Sequence, residues 1–302
     1  MSTTPYHNPV LLDESIEALN IQPNGIYVDA TFGGGGHSSL ILRNLGQGGR
    51  LLAFDQDPDA RQNALKDSRF TLIAQNFRQL RKALRLYGVT QVDGILADFG
   101  VSSHQFDAAE RGFSFRFDAE LDMRMNPETP LTAAGVINQY DESELRRILS
   151  KYGEVPRAGY LAHLIAKARA EKDITSTFEL LHIIEKAYSP KHLSSVKAQV
   201  FQALRIEVND EMGALEEFLE QIASVLKPEG RFVSITYHSL EDRMVKHLIR
   251  SGNTDDEPIR DDFGKRLLPF KGISRKPIVP SDQEISINPR ARSAKMRIAE
   301  RL

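Results

Sequence analysis

The chain has 302 residues, 41% hydrophobic and 26% charged, enough for one large core or for a core with a smaller domain beside it. Its formal net charge of −2 gives no overall attraction for nucleic acid, and no apolar run approaches the roughly 18 residues that a membrane helix needs. Cysteine is absent, which excludes disulfides, thiolate metal sites and every mechanism built on a cysteine nucleophile.

The opening MSTTPYHNPVLLDESIEAL lacks a basic stretch followed by an apolar one, so no secretory signal is expected and the expected location is the cytoplasm. Residues 26–30, IYVDA, read as a short buried strand. TFGGGGHS follows, then an apolar periodic stretch around Leu40, Ile41, Leu42 and Leu45, which together spell strand, glycine turn, helix. RLLAF at 50–54 is a second strand ending at Asp55, and Pro58 suits the first turn of a helix. Residues 70–73 form a weaker third strand. A helix is expected near 78–87, where Leu80, Ala83, Leu84 and Tyr87 share a face. VDGILA at 92–97 is a fourth strand, ending at Asp98.

This alternation predicts a mainly parallel sheet covered on both faces, with ligands bound beyond the carboxyl ends of its strands. Asp29, the glycine loop, Asp55 and Asp98 would then converge on one crevice. The rhythm stops over 104–130, and helices are expected near 143–151, 158–171, 177–187 and 197–206. The sheet resumes with an amphipathic helix over 211–226, closed by LKPEG with Gly230 in the left-handed position. A fifth strand covers 231–236. Ser239 is expected to cap the next helix with Asp242 at the box position, and edge strands are expected near 283–287 and 294–299. The predicted domains are 1–103 with 211–302, and an inserted, mainly helical 104–210.

A glycine loop after the first strand lets backbone approach a ligand and presents donors at a helix N-terminus. Simple turn chemistry would also account for four glycines. The loop ends in GHSS without a lysine, which argues against a nucleoside-triphosphate loop. Dinucleotides and S-adenosylmethionine both remain open. Asp55 is placed to accept from ribose hydroxyls, with Asp57 as the rival that caps the turn at Pro58. A carboxylate at Asp29 would repel pyrophosphate but attract the cationic methionine end of the methyl donor; it would also serve to brace the loop. Asp98 would face a transferred methyl group and accept from an amine nucleophile, or else cap a turn with Ser102 and Ser103. An exocyclic amine on a base needs orientation and electrostatic help, whereas methylation at pyrimidine carbon 5 calls for the cysteine this chain lacks. Tyr237 could stack on a base and His238 hydrogen-bond it.

Long motifs carry a resemblance: HNPVLLDE at 7–14, DATFGGGGHS at 29–38, FDQDP at 54–58, DFGVSSHQFDAAERGFSF at 98–115, LDMRM at 121–125, FQALRIEVN at 201–209, YHSLEDR at 237–243 and NPRARSAKMR at 288–297. The chain closely resembles the bacterial small-subunit ribosomal RNA methyltransferase H family, also called MraW, over nearly its whole length. The resemblance implies a class I S-adenosylmethionine-dependent methyltransferase (Rossmann-like) sheet domain with an inserted helical domain for substrate recognition. It implies methylation of the N4 amine of a cytidine in the decoding region of small-subunit ribosomal RNA. It further implies cofactor contacts at Gly35, Gly36, His37, Asp55, Phe77, Asp98 and Gln105. Where members carry His-Pro-Ala-Thr-Arg, this chain has HLSSVKAQVFQALR, so the family's arginine matches Lys197 or nothing.

From Lys265 to Leu302 there are ten Lys or Arg and three acidic residues, a local basic surface in a near-neutral chain. RNA contacts are expected at Arg111, Arg116, Arg124 and Arg205, and at Arg290, Arg292, Lys295 and Arg297. The rival for the first three is pairing with Glu110, Asp118, Glu120 and Asp122. The expected catalytic group is Asp98 with Tyr237 and His238. No metal is expected, since the sulfonium already activates the methyl group. The expected partner is small-subunit ribosomal RNA within a subunit or late precursor, with no membrane; monomer and homodimer are both open. An NAD-dependent oxidoreductase and a non-catalytic RNA-binding or assembly protein are the alternatives.

Overall fold

The computed structural model describes residues 9–258 and 260–302. His7 and Asn8 of the first motif lie outside the described residues. The chain divides into two compact units, Met1–Gly100 with Met212–Leu302, and Val101–Glu211.

The first unit is built on a seven-stranded sheet. In chain order it contains α1 (Leu12–Leu19), β1 (Ile26–Asp29), α2 (Gly36–Asn44), β2 (Arg50–Phe54), β3 (Phe70–Ile73), α3 (Leu80–Leu86) and β4 (Val92–Asp98). The second unit contributes α4 (Ser103–Asp107), α5 (Ala133–Gln139), α6 (Glu142–Lys151), α7 (Ala158–Arg169), α8 (Thr177–Ala187) and α9 (Pro190–Val208). The first unit then resumes with α10 (Glu211–Val225), β5 (Leu226–Thr236), α11 (Ser239–Ser251), β6 (Phe270–Gly272), α12 (Asp282–Ile287) and β7 (Lys295–Arg301).

The strand order is β3-β2-β1-β4-β5-β7-β6. The first five strands run parallel, and β7 runs antiparallel to both β5 and β6. This is the class I methyltransferase sheet that the resemblance implies. Alternation along the strands feeds two cores. Val28, Leu52, Ile95 and Phe232 pack with Leu80, Phe218, Ile222 and Leu248 of α3, α10 and α11. Tyr27, Leu51, Leu96 and Val233 pack with Leu19 and Ile41 of α1 and α2. A sheet covered on both faces leaves its strand ends open, and ligands of such sheets bind beyond the carboxyl ends. The second unit has its own core, in which Val136, Ile148, Ile165, Ile184 and Leu204 are fully buried.

Several local expectations are corrected. Residues 283–287 are helical, in α12, because Ser281 caps that turn by accepting from Glu284 N at 3.1 Å and Asp282 and Glu284 favour a helix N-terminus. Gly230 does not take the left-handed position; Glu229 does, at φ 64°. Gly230 serves close approach instead, since a Cβ there would meet the carbonyl oxygens of Lys227 and Asp93 at 2.8 and 3.0 Å. Ser239 does not cap α11: His238 does, with Glu241 at the box position. Helix α9 starts earlier than expected, with Pro190 in its first turn.

Phe218 is fully buried and meets Phe77, Phe99 and Phe232 edge-on at 5.1 to 6.3 Å. Phe218→Ala should cost about 3–5 kcal/mol by denaturant unfolding, the usual range for a phenylalanine cavity. A loss below about 1 kcal/mol would contradict this packing.

Candidate active site

The glycine loop is braced from two strand ends. Beyond β1, Ala30 N donates to Leu96 O and Phe32 N to Phe54 O, both at 2.8 Å, which ties the loop's start to β4 and β2. Asp29 accepts from Thr31 N at 3.1 Å and from Ser38 Oγ at 2.7 Å, so one carboxylate joins the two ends of the loop. Asp55 accepts from Gly33 N at 2.7 Å and Asp57 N at 2.8 Å. Gly33 and Gly35 lie at φ 51° and 77°, left-handed values that glycine adopts without a Cβ penalty. Gly36 is required by space, because a Cβ would fall 2.1 Å from Pro9 Cγ.

His37 is buried, and its Nε2 lies 3.2 Å from Val10 O. Burial pulls its pKa down to about 4, so it is neutral and donates to that carbonyl, linking α2 to the segment before α1. Asp57 caps the 3-10 turn Pro58–Asn63 by accepting from Asp59 N at 3.0 Å.

Asp98 ends β4. Its backbone N–H donates to Thr31 Oγ1 and its Oδ1 accepts from the Tyr237 hydroxyl at 2.8 Å. The alternative in which Asp98 caps a turn with Ser102 and Ser103 does not form: Ser102 makes the capping box of α4 with Gln105. Tyr237 is held by its own backbone N–H, which donates to Glu241 Oε2 at 2.9 Å. Burial and the neighbouring Asp98 charge push the Tyr237 hydroxyl well above its ordinary pKa, so it remains a donor.

Asp29, Asp55 and Asp98 therefore meet the same edge of the sheet. Burial pushes Asp29 and Asp55 each up to about 6. Asp98 rises to about 7 through burial, opposed by the Tyr237 hydrogen bond and aided by the charges of Asp29 and Glu241. Among the described residues no cationic side chain pairs with any of the three. Buried carboxylates normally find such a partner, so among the described residues this edge carries uncompensated negative charge.

Phe77 follows β3, half-buried, edge-on to Phe99 at 5.7 Å and Phe218 at 5.1 Å, with Asn76 capping its turn. It shares the carboxyl edge of the sheet with the carboxylates. The His238 ring is buried beside Glu241, and its Nε2 makes no hydrogen bond among the described residues. Its side chain is only 7% exposed, Nδ1 faces Glu241 N, and Nε2 lies 3.1 Å from Glu241 Oε1. Gln105 is buried in the second unit, where its side chain accepts from Ser102 N.

The expected RNA-binding cations separate into committed and free. Arg124 forms a two-point pair with Asp122 and also donates to Pro127 O and Thr129 O. Arg111 donates to the carbonyls of Arg124 and Met125. Arg205 pairs with Glu211 at 2.7 and 2.9 Å. Arg297 pairs with Asp242, and Lys295 lies 3.7 Å from the same carboxylate. Arg290 also has a partner. Arg116 and Arg292 are exposed with no side-chain partner among the described residues.

Sequence reasoning missed Glu241 and Thr31. Glu241 is 2% exposed and holds the backbone of Tyr237 and His238. Its signal is its position three residues after His238, which reads as a capping box once histidine is admitted as a cap.

The raised carboxylates set a pH dependence. Each has a folded pKa above its unfolded value, so the folded state binds more protons between about pH 4 and 7 and gains stability as pH falls through that window. The melting temperature of the ligand-free protein should rise from pH 8 to pH 5.5, and Asp98→Asn should flatten part of the rise. A steady fall over the same interval would contradict the site's electrostatics.

The model of the MraW methylase family matches residues 4–302. Ribosomal RNA small subunit methyltransferase H of Flavobacterium johnsoniae is 56% identical over 301 residues, covering 100% of this chain and 99% of the relative. The protein of the same name from Bacteroides fragilis is 54% identical over 298 residues, covering 99% and 98%. The chain belongs to the MraW methylase family.

Proposed function

We propose that this chain transfers a methyl group from S-adenosylmethionine to the N4 amine of a cytidine in the decoding region of small-subunit ribosomal RNA. The observation that carries the reading is the set of buried carboxylates, Asp29, Asp55 and Asp98, without a cationic partner among the described residues, at the strand ends around the glycine loop. A donor bearing a sulfonium and an ammonium group fits that charge. A dinucleotide does not, because its pyrophosphate would meet carboxylates instead of cations, which weighs against an NAD-dependent oxidoreductase. A non-catalytic RNA-binding protein has no use for a buried Asp98 oriented by two hydrogen bonds.

Each oxygen of Asp55 accepts one backbone bond, leaving further acceptor capacity on both for the two ribose hydroxyls. Phe77 offers a face for the adenine at the end of β3. Gly35 and Gly36 keep the loop free of side chains where the methionine end would lie, and Asp29 supplies negative charge beneath it. His37 holds the loop in this shape through Val10. The donor supplies a methyl group already activated by its positive sulfur.

The remaining work falls to Asp98 and Tyr237. The cytosine amine is a weak nucleophile because its lone pair is delocalised into the ring. Tyr237 fixes Asp98 Oδ1, which leaves Oδ2 to accept from an N4–H, align the amine for in-line attack and take up the proton that the methylated nitrogen sheds. The target base must leave its surroundings to reach the carboxyl edge, which costs least in unpaired RNA. His238 shapes the site through the helix cap, and of the arginines and lysine expected at RNA, Arg116 and Arg292 are the two that, among the described residues, are free to face it. The substrate is an assembled small subunit or late precursor, met in the cytoplasm.

Asp98→Asn should reduce single-turnover methylation by about 10²–10⁴-fold while labelled donor still binds. With the wild-type protein, kcat/KM should rise between pH 6 and 8 as Asp98 ionises. Nucleoside mapping after incubation with labelled donor and unmethylated small subunits reads both. Full turnover by Asp98→Asn, or label on a base other than cytosine, would contradict the assignment.

A further inference from the structure

We propose that a bulge at the sheet's outer edge, carrying Arg275 and Lys276, is an RNA-backbone contact that holds the strand flanking the target base. The proposal rests on the reading of RNA as the substrate.

Strand polarity puts this bulge at the reacting end of the sheet. β7 is antiparallel to β5, with Thr236 opposite Lys295, so β7 starts where β5 and β4 end, beside Tyr237 and Asp98. The chain leaving β6 pairs first through Ile273 N to Ile298 O at 3.0 Å. It pairs again at Ile278, which exchanges two hydrogen bonds with Met296 at 2.8 and 2.9 Å. Between these points Ser274, Arg275, Lys276 and Pro277 oppose Arg297 alone, so the edge must loop outward. The Ser274 hydroxyl donates to Lys276 O at 2.8 Å and closes the loop on itself. With strands roughly 4.8 Å apart, three steps from β4 place the bulge about 14 Å from Asp98, close enough for nucleotides next to a base held there.

The charge at this edge is free. Arg275 and Lys276 are exposed, and neither side chain has a partner among the described residues. No acidic residue interrupts 273–281, ISRKPIVPS. Arg292, on the 3-10 turn Pro289–Ser293 just before β7, adds a third exposed and unpartnered cation at the same end. Arg297 and Lys295, by contrast, converge on Asp242. Ile273 and Val279 stand exposed on either side of the two cations, 41% and 59%, offering apolar surface for sugar and base faces. Clustered cations without a paired acid among the described residues favour a polyanion, and RNA is the polyanion that must pass this end of the sheet.

Arg275→Gln/Lys276→Gln tests the assignment, with Lys265→Gln/Arg266→Gln as the control. The control pair is also exposed but precedes β6, at the opposite end of the sheet. Two readouts are taken: binding of a small-subunit RNA fragment as a function of salt, and KM for small subunits. The bulge variant should weaken RNA binding by about ten-fold and lower the salt slope by about 1 to 2, with labelled-donor binding and kcat unchanged. The control should match wild type. Equal losses in both variants, or none in the bulge variant, would overturn the proposal. So would normal binding of naked RNA with a raised KM for subunits, which would assign the surface to an acidic protein. The binding arm stands whether or not cytidine is the methylated base, and label on another base would overturn only the substrate reading.

Discussion

The carboxyl edge of the sheet is arranged around three carboxylates that have no counter-ion among the described residues. Asp29, Asp55 and Asp98 end three of the parallel strands, and burial lifts each toward neutrality. Such groups cost stability when ionised, and the cost is tolerated where a ligand later supplies the charge. The same carboxylates build the loop, since Asp29 and Asp55 accept from Thr31, Ser38 and Gly33. Binding electrostatics and loop geometry are thus one structure, and a change to either carboxylate alters both.

The reacting end is held by a short relay. Glu241 fixes the backbone of Tyr237, Tyr237 fixes Asp98, and Thr31 ties the backbone of Asp98 to the start of the glycine loop. The glycine loop and the Asp98–Tyr237 pair are therefore joined by hydrogen bonds within one unit. His238, a catalytic candidate on sequence grounds, also caps α11.

The parallel strands were legible because each is a short apolar run ending in an acid or in a turn signal: IYVD, RLLAF and VDGILAD leave little choice. The placement of Asp29, Asp55 and Asp98 followed from strand polarity alone. What was hidden depends on partners far along the chain. Nothing local announces that the Tyr237 hydroxyl meets Asp98, 139 positions away, or that Arg205 is held by Glu211. Residues 283–287 carry two isoleucines and read as strand, yet Ser281 and the acids behind it fold them into α12. The basic motif NPRARSAKMR looked uniformly available, but Asp242 holds Arg297 and draws in Lys295.

If a missing positive charge organises this edge, filling it must move protons. Titration calorimetry near pH 6.5, in buffers of different ionisation enthalpy, measures the protons exchanged on binding. The account predicts proton release on binding S-adenosylmethionine, as the raised carboxylates ionise against the cation. It predicts less release, and weaker binding, for the product that lacks the sulfonium charge. Proton uptake, or equal exchange and affinity for both, would contradict it.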